Sequence, residues 1–436
     1  MSIEELYSIF TNHPSICTDT RKIIPGSIFF ALSGPSFNGN TFAQTALNGG
    51  CALAVIDDPE YHGKNCILVH NTLLVLQQLA RYHRRQLNAK IIGITGSNGK
   101  TTSKELLRDV LSAKYRTYAT SGNLNNHIGV PLTLLSVPIN AEFVVVEMGA
   151  SHQGDIRELC EIAEPDFGLI TNIGKAHLEG MGGIEGVIKT KTELYEFIKL
   201  NNGKVFINTM HNVFIEKSVG IDRIRFGESD SDDYQGDFIE SEPFVKFRWK
   251  SGKDPVNLIQ KPIVSTRLIG KYNFENLLAA AAVGSYFRVE DEKINAALSE
   301  YVPDNNRSQI LETANYHIIL DAYNANPTSM QAALENFSAM HVEPKTVILG
   351  QMNEIGTDSS IEHQNLISRA LELNFDQILL VGKPYLPVPG DAKIHFFEST
   401  DELLASVKLL LPDKGGILIK GSRSNKLELL KDVLVD

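Results

Sequence analysis

An apolar run, Ile91-Ile92-Gly93-Ile94-Thr95, passes without a break into Gly96-Ser97-Asn98-Gly99-Lys100-Thr101-Thr102 and then into helical periodicity as far as residue 113. A strand that turns on glycines and restarts as a helix is half of a parallel β-α-β unit, so the feature points to an open α/β sheet. Its chemistry follows from the backbone. Glycine lets successive N–H groups turn inward around an anion, and the helix N-terminus adds positive potential. Lys100 is placed to reach the β- and γ-phosphates, and the Thr101 hydroxyl to ligate Mg²⁺. Gly96, Ser97, Asn98, Gly99, Lys100, Thr101 and Thr102 are therefore the expected ATP cradle. The general G-x-x-x-x-G-K-[ST] spacing would put its first glycine at position 94, which is Ile94; glycines stand at 93 and 96 instead. The competing reading is an ordinary strand-to-helix turn with a surface lysine. The strand before and the helix after weigh against it.

The rest of the chain repeats the alternation. Residues 27–32 and 51–56 read as strands, and 41–48 and 72–87 as helices. The basic end of the latter, Arg81-Tyr82-His83-Arg84-Arg85, reads most simply as a cap matched to the helix dipole. Strands are expected at 143–148, 166–173 and 204–208, with a helix after Gln153. Residues 223–269 are strand-rich and helix-poor, so antiparallel strands at a sheet edge are expected there. Within them Glu228-Ser229-Asp230-Ser231-Asp232-Asp233 reads as a solvated loop. Residues 273–286 are alanine-rich and helical. Pro303-Asp304-Asn305-Asn306 is turn chemistry suited to a linker. Strands at 316–320, 346–349, 377–381, 393–397 and 416–420 make a second open sheet. The reading is α/β in three domains: a small N-terminal unit at 1–87, a central phosphate-loop parallel-sheet domain at 88–302 and a Rossmann-like C-terminal domain at 303–436.

Composition narrows the classes. A net charge of -11 on 436 residues argues against nonspecific binding to nucleic acid or anionic membrane. The four cysteines form no C-x-x-C pair, so a zinc or redox motif is not expected. No apolar run is long enough to span a bilayer and the N-terminus has no signal pattern, so the expected location is the cytoplasm.

Downstream of the loop, Glu147 ends the run Phe143-Val144-Val145-Val146, where a carboxylate suits Mg²⁺; otherwise it is a strand-end acid in solvent. His177, in Thr171-Asn172-Ile173-Gly174-Lys175-Ala176-His177, is equally open to a metal role or a structural one. Lys189 and Lys191 lie on a helix, and residue type alone singles out neither.

Together these segments resemble the Mur ligase family of ATP-dependent peptidoglycan ligases, over nearly the whole chain. Thr95 to Thr102 is similar to the family's T-G-T-N-G-K-T-T loop, short glycine spacing included. Glu147-Met148-Gly149-Ala150 resembles the segment whose Glu binds Mg²⁺, and Thr171 to Glu179 the segment whose His binds a second Mg²⁺. The helix from Ile184 resembles the one with a carbamylated lysine, here Lys191 with Lys189 as the alternative, Thr190 replacing the usual Ala. Four further segments are similar to the branch that adds D-alanyl-D-alanine to UDP-N-acetylmuramoyl-tripeptide. They are Cys17 to Arg21 with Pro25 to Leu32, Gly122 to Pro131, Asp321 to Met330, and Lys420-Gly421-Ser422-Arg423-Ser424. The resemblance implies ATP contacts at Asn273, Asn276, Arg307 and Asp321, although Tyr272 stands where the family more often has His. It implies substrate contacts at Asp19, Thr20, Arg21, Ser33, Gly34, Asn123, Asn126, Tyr323, Asn324, Asn326, Lys420, Ser422 and Arg423. Phe37-Asn38-Gly39-Asn40 departs from the commoner F-D-G-H. The catalytic set implied is Lys100, Glu147, His177 and Lys191, in a monomer. The competing expectations are a folate-adding ligase with the same loop, or a phosphate-loop ATPase that makes no bond.

Overall fold

The computed structural model describes residues 1–303 and 307–435. Of the expected linker, Asp304, Asn305 and Asn306 lie outside the described residues. The described residues form three sheets, of four, nine and six strands. The α/β class expected from the alternation is what the chain adopts.

The first sheet is wholly parallel, in the order Ile16–Cys17, Ile28–Phe30, Leu53–Ile56, Cys66–Leu68. Helix Thr72–Gln86 leaves it and packs on helices Gly129–Leu135 and Asp155–Ala163 of the next unit. Its basic end does more than cap its own dipole. Arg84 is buried and donates to the carbonyls of Ala163 and Glu164 and to the Asp166 carboxylate, while Arg81 and Arg85 pair with Glu164. Three cations thus close the C-terminus of the neighbouring unit's helix, where unpaired carbonyls concentrate negative potential.

In the nine-stranded sheet the phosphate-loop strand, Lys90–Thr95, lies between Phe143–Glu147 and Phe167–Ile170, parallel to both. Apart from Lys90 its side chains are buried, as a strand covered on both faces requires. Parallel strands end on the same edge, so the glycine loop, Glu147 and the Thr171–His177 segment emerge side by side. Helix Tyr272–Tyr286 packs on the phosphate-loop helix Lys100–Ser112 closely enough that a Cβ on Gly284 would fall 2.3 Å from Val110. The strand-rich stretch differs in part from expectation. Asp222–Gly227 extends the parallel sheet beside Lys204–Asn208, and only Tyr234–Ser241, Val245–Ser251 and Val264–Ser265 pair antiparallel. Asp232, read as solvated, is buried; its carboxylate accepts from the Thr209 hydroxyl at 2.8 Å and the Ser229 N–H at 3.2 Å. An acid within a run of acids is drawn inside here because two local donors satisfy it.

The third sheet runs Gln309–Glu312, Tyr316–Asp321, Gly415–Lys420, Lys345–Gly350, Gln377–Val381, Ile394–Phe397, parallel except at its first strand. Asp321 and Lys420 end paired strands in register. No helix among the described residues is long and apolar enough to cross a membrane.

Candidate active site

A cleft of about 950 Å³ lies between the carboxyl edges of the second and third sheets. Its central wall carries Ser97 to Thr102, Asn123, Asn126, Glu147, His177, Asn273 and Asn276. Its C-terminal wall carries Arg307, Asp321, Tyr323, Asn324, Lys420 and Arg423.

The phosphate loop is fixed by its neighbours. Ser97 Oγ donates to the Gly174 carbonyl and accepts from the Gly174 N–H, each at 3.0 Å. The Asn98 N–H donates to Asn172 Oδ1, and its carbonyl accepts from Asn172 Nδ2 and Thr171 Oγ1. The segment that resembles the family's histidine arm is thus also the frame of the loop. Two glycines are obligatory. Gly96 has φ +150° and a Cβ there would fall 2.0 Å from Thr171 Oγ1; Gly99 has φ +75° and faces Asn276 Oδ1 at 2.8 Å. Asn273 and Asn276 line the cleft, but their hydrogen bonds run inward, to the Ile269 carbonyl, to Ser103 Oγ and to each other.

The Lys100 ammonium donates to the Gly96 and Ser97 carbonyls at 2.8 and 3.2 Å. Burial lowers its pKa from the ordinary lysine value; Glu147 raises it and Arg307 lowers it further. Glu147 is 2% exposed. Its Oε1 accepts from Asn125 Nδ2 at 2.8 Å, while Oε2 is buried with no hydrogen-bond partner and lies 4.0 Å from the Lys104 amine. A buried carboxylate oxygen without a donor, with the Thr101 hydroxyl on the same cleft wall, fits a hard divalent cation. Among the described residues no group of three or more His, Cys, Asp or Glu side chains could hold a metal alone. That suits Mg²⁺, which is bound by one or two protein oxygens together with substrate phosphates and water.

His177 stands at φ +52° and its Nδ1 is in ion-pair contact with the Glu354 carboxylate from the opposite wall, although the two are not aligned as a hydrogen bond. That pairing holds the Glu354 carboxyl below the usual range. Lys191 is 1% exposed, whereas Lys189 is exposed on another face of helix Ile184–Leu200. Burial and the neighbouring Lys100 charge push the Lys191 amine well below its ordinary value.

On the C-terminal wall, Lys420 Nζ is 2.5 Å from Asp321 Oδ2. The Arg307 guanidinium lies over the Tyr323 ring at 4.0 Å and that of Arg423 at 5.4 Å. Asn326 caps helix Pro327–Ala339 and donates from Nδ2 to Asn98 Oδ1 at 2.7 Å, tying the phosphate loop to the third sheet. Asn126 likewise accepts from the Ile128 and Gly129 N–H groups. Ser422 is buried behind the wall, accepting from the Asn353 N–H.

Asp19, Thr20, Arg21, Ser33 and Gly34 do not line this cleft. Asp19 and Arg21 pair with each other at 2.8 Å, and Ser33 Oγ accepts from the Gly39 N–H at the other end of its own loop. Sequence reasoning missed Asn125, Lys104 and Glu354. Asn125 sits inside the quoted Gly122 to Pro131 segment, which was the available signal; the other two are set by packing alone.

Residues 94–284 match the Mur ligase middle domain and residues 306–423 the Mur ligase glutamate ligase domain. The UDP-N-acetylmuramoyl-tripeptide–D-alanyl-D-alanine ligase of Bacillus subtilis (strain 168) is 34% identical, over 96% of this chain and 93% of that one. The enzyme of the same name from Escherichia coli (strain K12) is 32% identical, over 95% and 92%. A crystal structure of MurF from Acinetobacter baumannii aligns with a TM-score of 0.87 at 32% identity, over 97% of this chain and 93% of that one. With its phosphate loop, strand-end carboxylate and histidine arm gathered at one cleft, and with relatives this similar along nearly its whole length, the chain belongs to the Mur ligase family.

Proposed function

We propose that this chain joins D-alanyl-D-alanine to UDP-N-acetylmuramoyl-tripeptide, at the expense of ATP, as a cytoplasmic monomer. The observation that carries the reading is the single cleft lined by the phosphate loop, Glu147 and His177 on one side and by Arg307, Asp321, Lys420 and Arg423 on the other. Residues 1–87 would hold the uridine end through Asp19, Thr20, Arg21, Ser33 and Gly34. Residues 88–302 would hold ATP, and residues 303–436 the incoming dipeptide.

In this reading a tripeptide carboxylate oxygen attacks the γ-phosphorus and the bond to the β-phosphate oxygen breaks, giving an acyl phosphate and ADP. The dipeptide amine then attacks the acyl carbon, the C–O bond to phosphate breaks, and the amine loses a proton. Lys100 leaves its loop carbonyls to neutralise the γ-phosphoryl oxygens, with Arg307 on the far side. The Asp321–Lys420 pair fixes a carboxylate where it can accept from a ribose hydroxyl. Thr101 with Glu147, and His177 with Lys191, would hold Mg²⁺, which would supply Lewis-acid neutralisation of the phosphates.

Lys191 would serve as a carbamate. Its buried amine beside Lys100 is disfavoured as a cation, and only the neutral amine adds to CO₂, losing a proton to give an anionic oxygen donor. Lys189, exposed, has no such bias. Closure of the cleft would keep water from the acyl phosphate.

The test is ADP release across a panel of UDP-muramoyl peptides and dipeptides. Release that requires both co-substrates is expected. Release independent of both would leave a plain ATPase.

A further inference from the structure

We infer that Glu354 is a positioning residue, the carboxylate by which the C-terminal unit, on docking, orients His177 toward the cleft. The inference rests on the proposed reading of His177 as a metal ligand.

The contact is built on both sides. Glu354 lies just past strand Lys345–Gly350, in a loop that is pinned around it. The Met352 N–H donates to His363 Nε2, and the Asn353 N–H and Nδ2 donate to Ser422 Oγ and Ser424 Oγ. Glu354 has φ +61° and His177 has φ +52°. Two non-glycine residues in the left-handed region therefore meet across one gap, and such conformations persist where surrounding structure enforces them. Two residues on, Gly356 approaches Glu179 so closely that a Cβ would fall 3.0 Å from the Glu179 Cβ. The two loops interlock at the point where the imidazole and the carboxylate touch.

A carboxylate that holds the proton on Nδ1 leaves the Nε2 lone pair for a metal and raises the basicity of that nitrogen. The Glu354 oxygen touches Nδ1 here without being aligned as a hydrogen-bond partner, so the alignment would come with full docking. The imidazole and its carboxylate need not share one rigid unit. Here they belong to different sheets, so the histidine is oriented only when the two walls are together. The metal site would thus report domain docking.

The opposite arrangement is a plug, in which Glu354 occupies the imidazole and a metal must displace it. The sign of one variant's effect separates the two. Mn²⁺ binding to the full-length protein, measured by electron paramagnetic resonance with a non-hydrolysable ATP analogue present, is compared between the unaltered protein and four variants. Glu354→Gln is expected to weaken Mn²⁺ about tenfold or more, with Glu354→Asp recovering part of the loss. Glu362→Gln, which removes the Lys175 pair at the same seam, is expected to leave it unchanged. His177→Ala tests the underlying reading: unchanged Mn²⁺ binding there would remove the metal role of His177, and the inference with it. If His177→Ala weakens Mn²⁺ but Glu354→Gln leaves it unchanged or tightens it, or if Glu362→Gln weakens it as much, only the positioning role of Glu354 fails.

Discussion

The two walls of the cleft are built differently. On the central wall Thr101 and Glu147 are 6% and 2% exposed, Lys191 does not line the cleft and is 1% exposed, and the loop is held by reciprocal hydrogen bonds within one sheet. Only at its rim are Asn123 and Asn126 exposed. The C-terminal wall has a pair of its own, buried Lys420 with Asp321, but Asn324, Glu354 and Arg423 beside it are exposed. That wall meets the first through scattered polar contacts, Asn98 to Asn326, Lys175 to Glu362, His177 to Glu354 and Tyr272 to Ser308. Buried, mutually bonded groups do not rearrange cheaply, whereas a polar, partly wet seam can open and close. The difference suggests that phosphate chemistry is pre-organised on one wall and completed by docking the other.

If so, variants of the central wall should damage turnover most and variants of the seam least. The largest effect is expected for Lys100→Ala. If Lys100 is the cation that neutralises the transferring phosphoryl group, its removal should lower kcat by about 10³-fold. Its ammonium bonds only to carbonyls of its own loop, so the melting temperature should change little. A large loss of stability would mean that the lysine holds the fold, and the contrast between the walls would weaken.

Glu147→Gln is next. The Asn125 hydrogen bond can survive, but the anion beside buried Lys104 is lost. Activity should fall by about 10²-fold or more and the Mg²⁺ requirement should rise. An unchanged Mg²⁺ dependence would remove Glu147 from the metal. Lys191→Ala should inactivate similarly and recover in part with short carboxylic acids, while Lys189→Ala should be nearly silent. Rescue of the 189 variant instead would move the carbamate.

What could be read in advance divides along the same line. The phosphate loop, Glu147 and the Thr171 to His177 arm were legible because each sits at the end of an apolar strand, where local pattern fixes the direction of the chain. Lys189 and Lys191 were not separable, since two steps along a helix turn a side chain by about 200° and only packing says which face is inside. Strands Cys66–Leu68 and Thr117–Ala119 were missed; three residues are too few for a period to show. Lys104 and Glu354 owe their roles to what lies across from them, which no local pattern encodes. Asn276 was expected at the nucleotide; it lines the cleft, and packing alone sets the bonds of its amide to Ser103 and Asn273.

Asn326→Ala probes the seam at its most direct point. It removes both the cap of helix Pro327–Ala339 and the bond to Asn98. A lost cap costs about 1 kcal/mol, so stability should drop by that order. Asn326→Ser, which retains a capping oxygen, should recover the stability without the contact to Asn98. In both variants small-angle scattering should show a wider separation of the C-terminal unit, narrowed by ATP analogue and substrate. No change in spacing with or without ligands in the unaltered protein would sink the closure argument.

The smallest effect is expected for Lys175→Ala. The pair with Glu362 is short, 2.6 Å, but the lysine is half exposed, and such pairs contribute about 0–1 kcal/mol, less in salt. Stability should therefore be nearly unchanged in urea titration. Because the pair spans the seam, what should move is the salt dependence of turnover. A docked wall held partly by exposed charges opens more readily as ionic strength rises, so the unaltered protein should lose activity with salt more steeply than Lys175→Ala. Equal slopes would mean that the Lys175–Glu362 pair takes no part in holding the seam, which would leave it to the other cross-wall contacts, the Asn98 to Asn326 bond among them.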